Sequence, residues 1–123
     1  MDSIQSFYEY ALLKKGVSEH FPFDQNILVF KVGGKIFALT ALSDWEQGTA
    51  AINLKCDPER AVELREEYEE INPGYHMNKK HWNTLSCTGR LPAALIRELI
   101  DHSYELVLAS LPKKLREEIG QMN

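Results

Sequence analysis

The chain has 123 residues, 44% of them hydrophobic and 26% charged, with 14 Lys and Arg against 18 Asp and Glu. The net charge of -4 and pI near 5.6 exclude a protein that coats nucleic acid, or clings to an anionic membrane, by bulk charge. A chain of this size buries roughly two thirds of the surface it exposes when unfolded, so a core without metal or disulfide is expected.

A single domain over residues 1–123 is enough, because no internal repeat, linker or low-complexity segment interrupts the sequence. The first residues, Met1-Asp2-Ser3-Ile4-Gln5, lack the basic and apolar regions of a secretory leader, and a cytoplasmic protein is expected. Apolar runs fall well short of the ~18 residues a spanning helix requires, so no membrane association is expected. Cys56 and Cys87 lack any CxxC or Cys/His grouping. In a cytoplasmic chain they are read as two reduced thiols rather than a bridge.

From Asp2 to Lys15, residues Ile4, Phe7, Tyr8, Ala11 and Leu12 form the stripe of a core-facing helix, with Asp2 and Gln5 spaced as a capping box and Gly16 as its stop. Ile27–Val32 and Lys35–Ala41 flank Gly33-Gly34, which predicts a hairpin with a two-residue turn. In that register Phe30 faces Phe37 and Leu28 faces Leu39 across the pair. Ser43–Thr49 has turn composition, and Ala50–Lys55 alternates as a third strand. Asp57-Pro58 marks a helix start, because the carboxylate caps and the proline lacks only an N–H that would have no partner there. That helix is expected to run to about Glu70 and to stop at Asn72-Pro73-Gly74.

Tyr75–Met77 and Trp82–Cys87 read as short extended segments joined by Asn78-Lys79-Lys80-His81. After Pro92 comes the longest helix, with Leu95, Ile96, Leu99, Ile100, Leu106, Val107 and Leu111 on a broad stripe, and after Pro112 a short final one carrying Leu115 and Ile119. This order predicts an α+β fold, an antiparallel sheet with the N- and C-terminal helices packed on one face.

No phosphate loop, nucleophile elbow, zinc-protease motif or dinucleotide fingerprint is present, so no cofactor, metal or catalytic residue is assigned and a non-catalytic role is expected. His76 and His81 could join a metal site only with ligands from elsewhere, since Ile71–Arg97 contains no Asp or Glu. Cys87 with one of those histidines is a conceivable nucleophile pair, but nothing in the sequence brings them together. The helix Asp57–Glu70 carries seven carboxylates against Arg60 and Arg65, the composition of a solvated face or of a surface for a basic partner. Ile71–Arg97 holds Lys79, Lys80, Arg90 and Arg97 beside amides, histidines and Trp82. Such a mixture can sit on phosphates and stack on bases.

The run Pro73-Gly74-Tyr75-His76-Met77-Asn78-Lys79-Lys80-His81-Trp82-Asn83-Thr84, with Gly89-Arg90-Leu91-Pro92 and Asp101-His102-Ser103-Tyr104, resembles the MmcQ/YjbR family of small bacterial proteins. The hairpin Phe30–Ala38 and the junction Asn53–Glu59 resemble it too, so the likeness covers nearly the whole chain. It implies a frataxin-like (CyaY-like) fold and DNA binding through two projecting wings, with motif positions His76, Asn78, Lys79, His81, Trp82 and Thr84. Charge adds Lys80 and Arg90, and the hairpin tip offers Lys31 and Lys35 as a second wing. The expected partner is DNA, bound weakly and salt-sensitively by a monomer. The alternative is a module for a protein or small-molecule partner, in which the His/Asn/Trp motif locks the structure. Iron binding, suggested by the frataxin-like analogy, carries little weight because fold does not carry function.

Overall fold

The computed structural model describes residues 3–74 and 77–122. Six strands, β1 (Val17–His20), β2 (Ile27–Val32), β3 (Lys35–Ala41), β4 (Ala51–Lys55), β5 (Ile71–Pro73) and β6 (Trp82–Ser86), form one sheet in the order β1-β2-β3-β4-β6-β5. Every neighbouring pair is antiparallel. Five helices complete the α+β fold: α1 (Ile4–Leu12), α2 (Leu42–Glu46), α3 (Pro58–Glu67), α4 (Ala93–Ala109) and α5 (Lys113–Gly120). Because β6 lies between them, β4 and β5 run parallel, joined by α3 in a split crossover.

The core lies between one face of the sheet and the helices. Leu28, Phe30 and Val32 of β2, Phe37 and Ala38 of β3, Ile52 and Leu54 of β4 and Leu85 of β6 meet Phe7 and Ala11 of α1, Ala61 and Leu64 of α3, and Ile96, Ile100 and Val107 of α4. An aromatic chain runs through it: Phe7 packs edge-on to Phe30 at 5.4 Å between ring centroids, and Phe37 edge-on to Tyr104 at 5.5 Å.

Several boundaries differ from the sequence reading, each for a physical reason. Ser3, not Asp2, caps α1, its Oγ accepting the Ser6 N–H at 3.1 Å; Asp2 lies outside the described residues. The 43–49 segment is not all turn, since Leu42–Glu46 coils into α2 and Trp45 Nε1 donates to the buried Thr40 hydroxyl at 2.9 Å. Helix α3 begins as expected, with Asp57 accepting the Arg60 N–H, but ends at Glu67 because Tyr68 turns extended. Ile71–Pro73 then forms edge strand β5 rather than a helix stop; proline is tolerated there because an edge strand leaves one side without ladder bonds. Strand β1 has no alternating pattern to reveal it: three of its four residues are exposed.

The hairpin turn forms at Gly33-Gly34, both with positive φ (58° and 81°), and Val32 pairs with Lys35. The register shifts between Phe30 and Lys31, however, so Phe30 pairs with Ala38 and Leu28 with Thr40 instead of the expected Phe37 and Leu39. The extra residue is a β-bulge on β3. It turns both Phe37 and Ala38 into the core and sends Leu39 to the other face of the sheet.

Candidate functional site

The register assigns each strand residue to one of two faces. On the face away from the helices, one row crosses the sheet as Lys31, Ile36, Lys55 and Trp82, and the next as Val29, Leu39, Asn53 and Thr84. A third row holds Ile27, Ala41 and Ala51. Phe23 and Met77 rise beside these residues to make a cleft of about 590 Å³, floored by Ile36, Leu39, Ala41 and Ala51. Two groups give the floor polarity. Thr84 Oγ1 donates to Asn53 Oδ1 at 2.5 Å, and the Asp44 carboxylate stands at the α2 end. Apolar walls with a few fixed polar groups are the usual make-up of a small-ligand site.

Of the residues singled out from the sequence, the fold gathers some and separates others. The hairpin tip, Lys55 at the end of β4 and the Asn78–His81 turn leading into β6 all lie at one end of the sheet, because Lys55 pairs with Trp82 and β3 starts beside the end of β4. Lys31, Lys35, Lys55, Lys79 and Lys80 therefore share that end. Arg90 does not: it follows β6 past Ser86, which pairs with Ala51 at the opposite end. Lys31 and Lys35 sit on opposite faces. Lys31 pairs with Ile36 of the cleft, whereas Lys35 lies on the helix side with its Nζ 3.5 Å from Ser110 Oγ. Nor does the hairpin tip stand clear of the body, since a Cβ on Gly33 would come within 2.5 Å of Leu111 Cδ1.

The Asn78–Thr84 run combines architecture and exposed surface. The Asn78 side chain accepts the Lys80 N–H at 2.9 Å, while its carbonyl takes the His81 and Trp82 N–H groups, closing a tight turn. Arg65 of α3 clamps this turn with Nη2 on the Lys79 carbonyl at 2.6 Å and Nε on Asn83 Oδ1 at 2.7 Å. Asn83 is buried on the core face and also reaches Ala61 O. The His81 carbonyl accepts the Cys56 N–H at 2.7 Å, so this half-buried residue is held by its backbone. Lys79 and Lys80 are exposed, and Lys80 lines a shallow groove with Glu59 and Glu63, whose charge offsets its own. His76 lies outside the described residues.

The second motif, Asp101-His102-Ser103-Tyr104, ties α4 to four other places. Asp101 accepts from Tyr10 Oη at 2.7 Å and forms an ion pair with Lys14. His102 Nε2 accepts the Asp57 N–H at 3.1 Å at the head of α3. Ser103, fully buried, donates to Phe37 O at 2.5 Å and accepts from Lys55 N at 2.9 Å, bridging β3 and β4 just past the Ala38–Leu54 pair at which their register ends. Tyr104 Oη donates to Lys15 O at 2.6 Å. Desolvation holds the His102 pKa below its ordinary value, helped by the nearby Arg60 charge. Burial pushes the Tyr10 hydroxyl up to about 12, and its bond to Asp101 adds to the shift.

Cys56 and Cys87 are both free and buried, and desolvation pushes each thiol up to about 11, so both are protonated at neutral pH. They stand at opposite ends of β4 and β6: Cys56 N bonds to His81 O, and Cys87 N to Ala50 O. Six residues of strand, about 20 Å, therefore separate Cys87 from both Cys56 and His81. Neither a bridge nor a Cys87–His81 pair is possible in this fold. Among the described residues, no three His, Cys, Asp or Glu side chains gather as metal ligands, and no helix is long and apolar enough to cross a membrane.

The YjbR family model matches residues 12–106, which include every strand, the cleft and the α4 lock. The chain belongs to the YjbR family. Members similar to it include YjbR of Escherichia coli K12, 30% identical over 98% of this chain and 99% of that protein, and YbdF of Escherichia coli O157:H7, 42% identical over 80% of this chain and 78% of that protein. Among solved structures, the Deinococcus radiodurans protein DR2400 superposes with a TM-score of 0.89 at 40% identity, over 96% of this chain and 88% of that one. A Pseudomonas syringae protein superposes with a TM-score of 0.73 at 30% identity, over 85% of this chain and 98% of that one. The YjbR fold is thus the frame that carries the open face and its lysines.

The open-face residues Asn53 and Lys55 are not among the site residues expected from the sequence, although it holds a signal for them. They alternate with Ile52 and Leu54 in β4, so they must face away from the core.

Proposed function

We propose that this YjbR-family protein is a non-catalytic nucleic-acid-binding module that contacts phosphates with the end of its sheet. The observation that carries this reading is the gathering of Lys31, Lys35, Lys55, Lys79 and Lys80 at that end from three separate segments of a chain whose overall charge is -4. Trp82, beside Lys55 on the open face, adds an aromatic surface of the kind on which bases stack. Arg90 is left out of this surface by its position at the far end.

Binding is weak and salt-sensitive, because phosphate contacts dominate while Asp57, Glu59 and Glu63 lie nearby and the molecule as a whole is acidic. With three or four lysines engaged, log K falls against log salt with a slope of roughly -3. Fluorescence anisotropy on a DNA duplex, measured across salt concentrations, tests this. Lys55→Glu/Lys79→Glu should abolish binding, and Arg90→Glu should leave it nearly unchanged. Undiminished binding by the double variant, or an equal loss from Arg90→Glu, would overturn the assignment.

A further inference from the structure

The cleft on the open face has chemistry that the phosphate-contacting end does not use. Its floor is formed by side chains of neighbouring strands at Ile36, Leu39, Ala41 and Ala51, an apolar surface on which the face of a ring can lie. In its middle row, Asn53 and Thr84 are direct cross-strand partners. An amide donor and a hydroxyl acceptor side by side complement an edge that presents a carbonyl next to an N–H, as the lactam of a pyrimidine or of guanine does. One pleat repeat along the strands, about 7 Å, leads from that row to Lys55 and Lys31 on the same face. Asp44, at the other end of the cleft, repels an anion and so fixes the direction in which a charged ligand lies.

We infer that the cleft is a binding site for a single nucleotide unit, its base on the apolar floor against Asn53 and Thr84 and its phosphate toward Lys55 and Lys31. The occupant is an unpaired base of a single-stranded nucleic acid; this rests on the proposed phosphate-contacting role, because both use Lys55 and Lys31. A base inside a duplex cannot enter, since its lactam edge is paired and its faces are stacked. The protein therefore favours single strands over duplexes.

The test is a titration followed by the methyl resonances of Ile27, Ile36, Leu39 and Met77 in the full chain, with thymidine 5′-monophosphate, an oligothymidylate and a duplex as probes. The oligothymidylate should shift these methyls and bind at least ten-fold more tightly than the duplex, with the mononucleotide shifting the same methyls more weakly. Asn53→Leu should weaken oligothymidylate binding about ten-fold, as loss of one edge hydrogen bond would, and leave duplex affinity unchanged. Thr84→Val provides the same comparison if Asn53→Leu does not fold. Duplex binding without cleft shifts from either single-stranded probe would overturn the base site and leave the phosphate role standing. Cleft binding of the mononucleotide with no gain for the oligomer would keep the nucleotide site and overturn its single-stranded source. If none of the three probes bound, both proposals would fall.

Discussion

The two faces of the sheet solve opposite problems with the same strands. On the helix side, the buried polar residues Thr40, Asn83 and Ser103 each have hydrogen-bond partners inside the protein. On the other side, Leu39, Asn53 and Thr84 are only half covered and line a cleft. A sealed face stabilises the fold, because any unpaired polar group there carries its full desolvation cost. A half-covered face can exchange water for a ligand. The difference shows that a polar side chain in this molecule is architectural when its partners come from another element of the core, and available for binding when it lies on the open side.

The sharpest way to break this comparison is to truncate one large side chain on each face. Phe37→Ala should cost about 3–5 kcal/mol, since it empties a fully buried site between Phe30 and Tyr104, whereas Leu39→Ala, two residues on, should cost no more than about 1 kcal/mol. Urea unfolding of the two variants measures the difference, and equal losses would mean that the open face is as sealed as the core. Next comes Ser103→Ala. It strands the Phe37 carbonyl and the Lys55 N–H and should cost roughly 2–4 kcal/mol by the same measurement. A loss below 1 kcal/mol would show that the two strands can close the gap without the serine.

The smallest effect should come from His102. Its folded pKa lies below the ordinary value of 6.5, so the unfolded chain takes up a proton more readily than the folded one. Its contribution is complete above about pH 6.5 and is lost as pH falls through the lower folded value, where Nε2 can no longer accept the Asp57 N–H. Thermal unfolding between pH 5 and 8 should show a drop on the acid side that is shallower in His102→Gln. Identical pH profiles for the two proteins would remove His102 from the lock.

What was legible in the sequence had local causes. Asp57-Pro58 starts α3, Gly33-Gly34 makes the hairpin turn, and the stripe from Leu95 to Leu111 makes α4, because capping, positive φ and helical periodicity act within a few residues. The family likeness was also legible, in the runs around Asn78–Thr84 and Asp101–Tyr104. Their roles were not. That Arg65 clamps the first run while Ser103 and its neighbours fasten α4 depends on side chains 14 to 91 positions apart in the chain.

The sequence by itself determined where α1, α3, α4 and α5 coil and where β2, β3, β4 and β6 extend, though not α2, β1 or β5, and that the apolar side of β4 must be covered. Only the tertiary structure decided the register and what it implies. One bulged residue on β3 put Phe37 in the core, where Ser103 bonds its carbonyl, and Leu39 in the cleft. In a sheet, a shift of one residue exchanges the faces, and the choice between registers is made by what packs on each side rather than by the strand itself. For the same reason five lysines from three segments met at one end of the sheet and Arg90, four residues beyond Ser86 at the end of β6, did not.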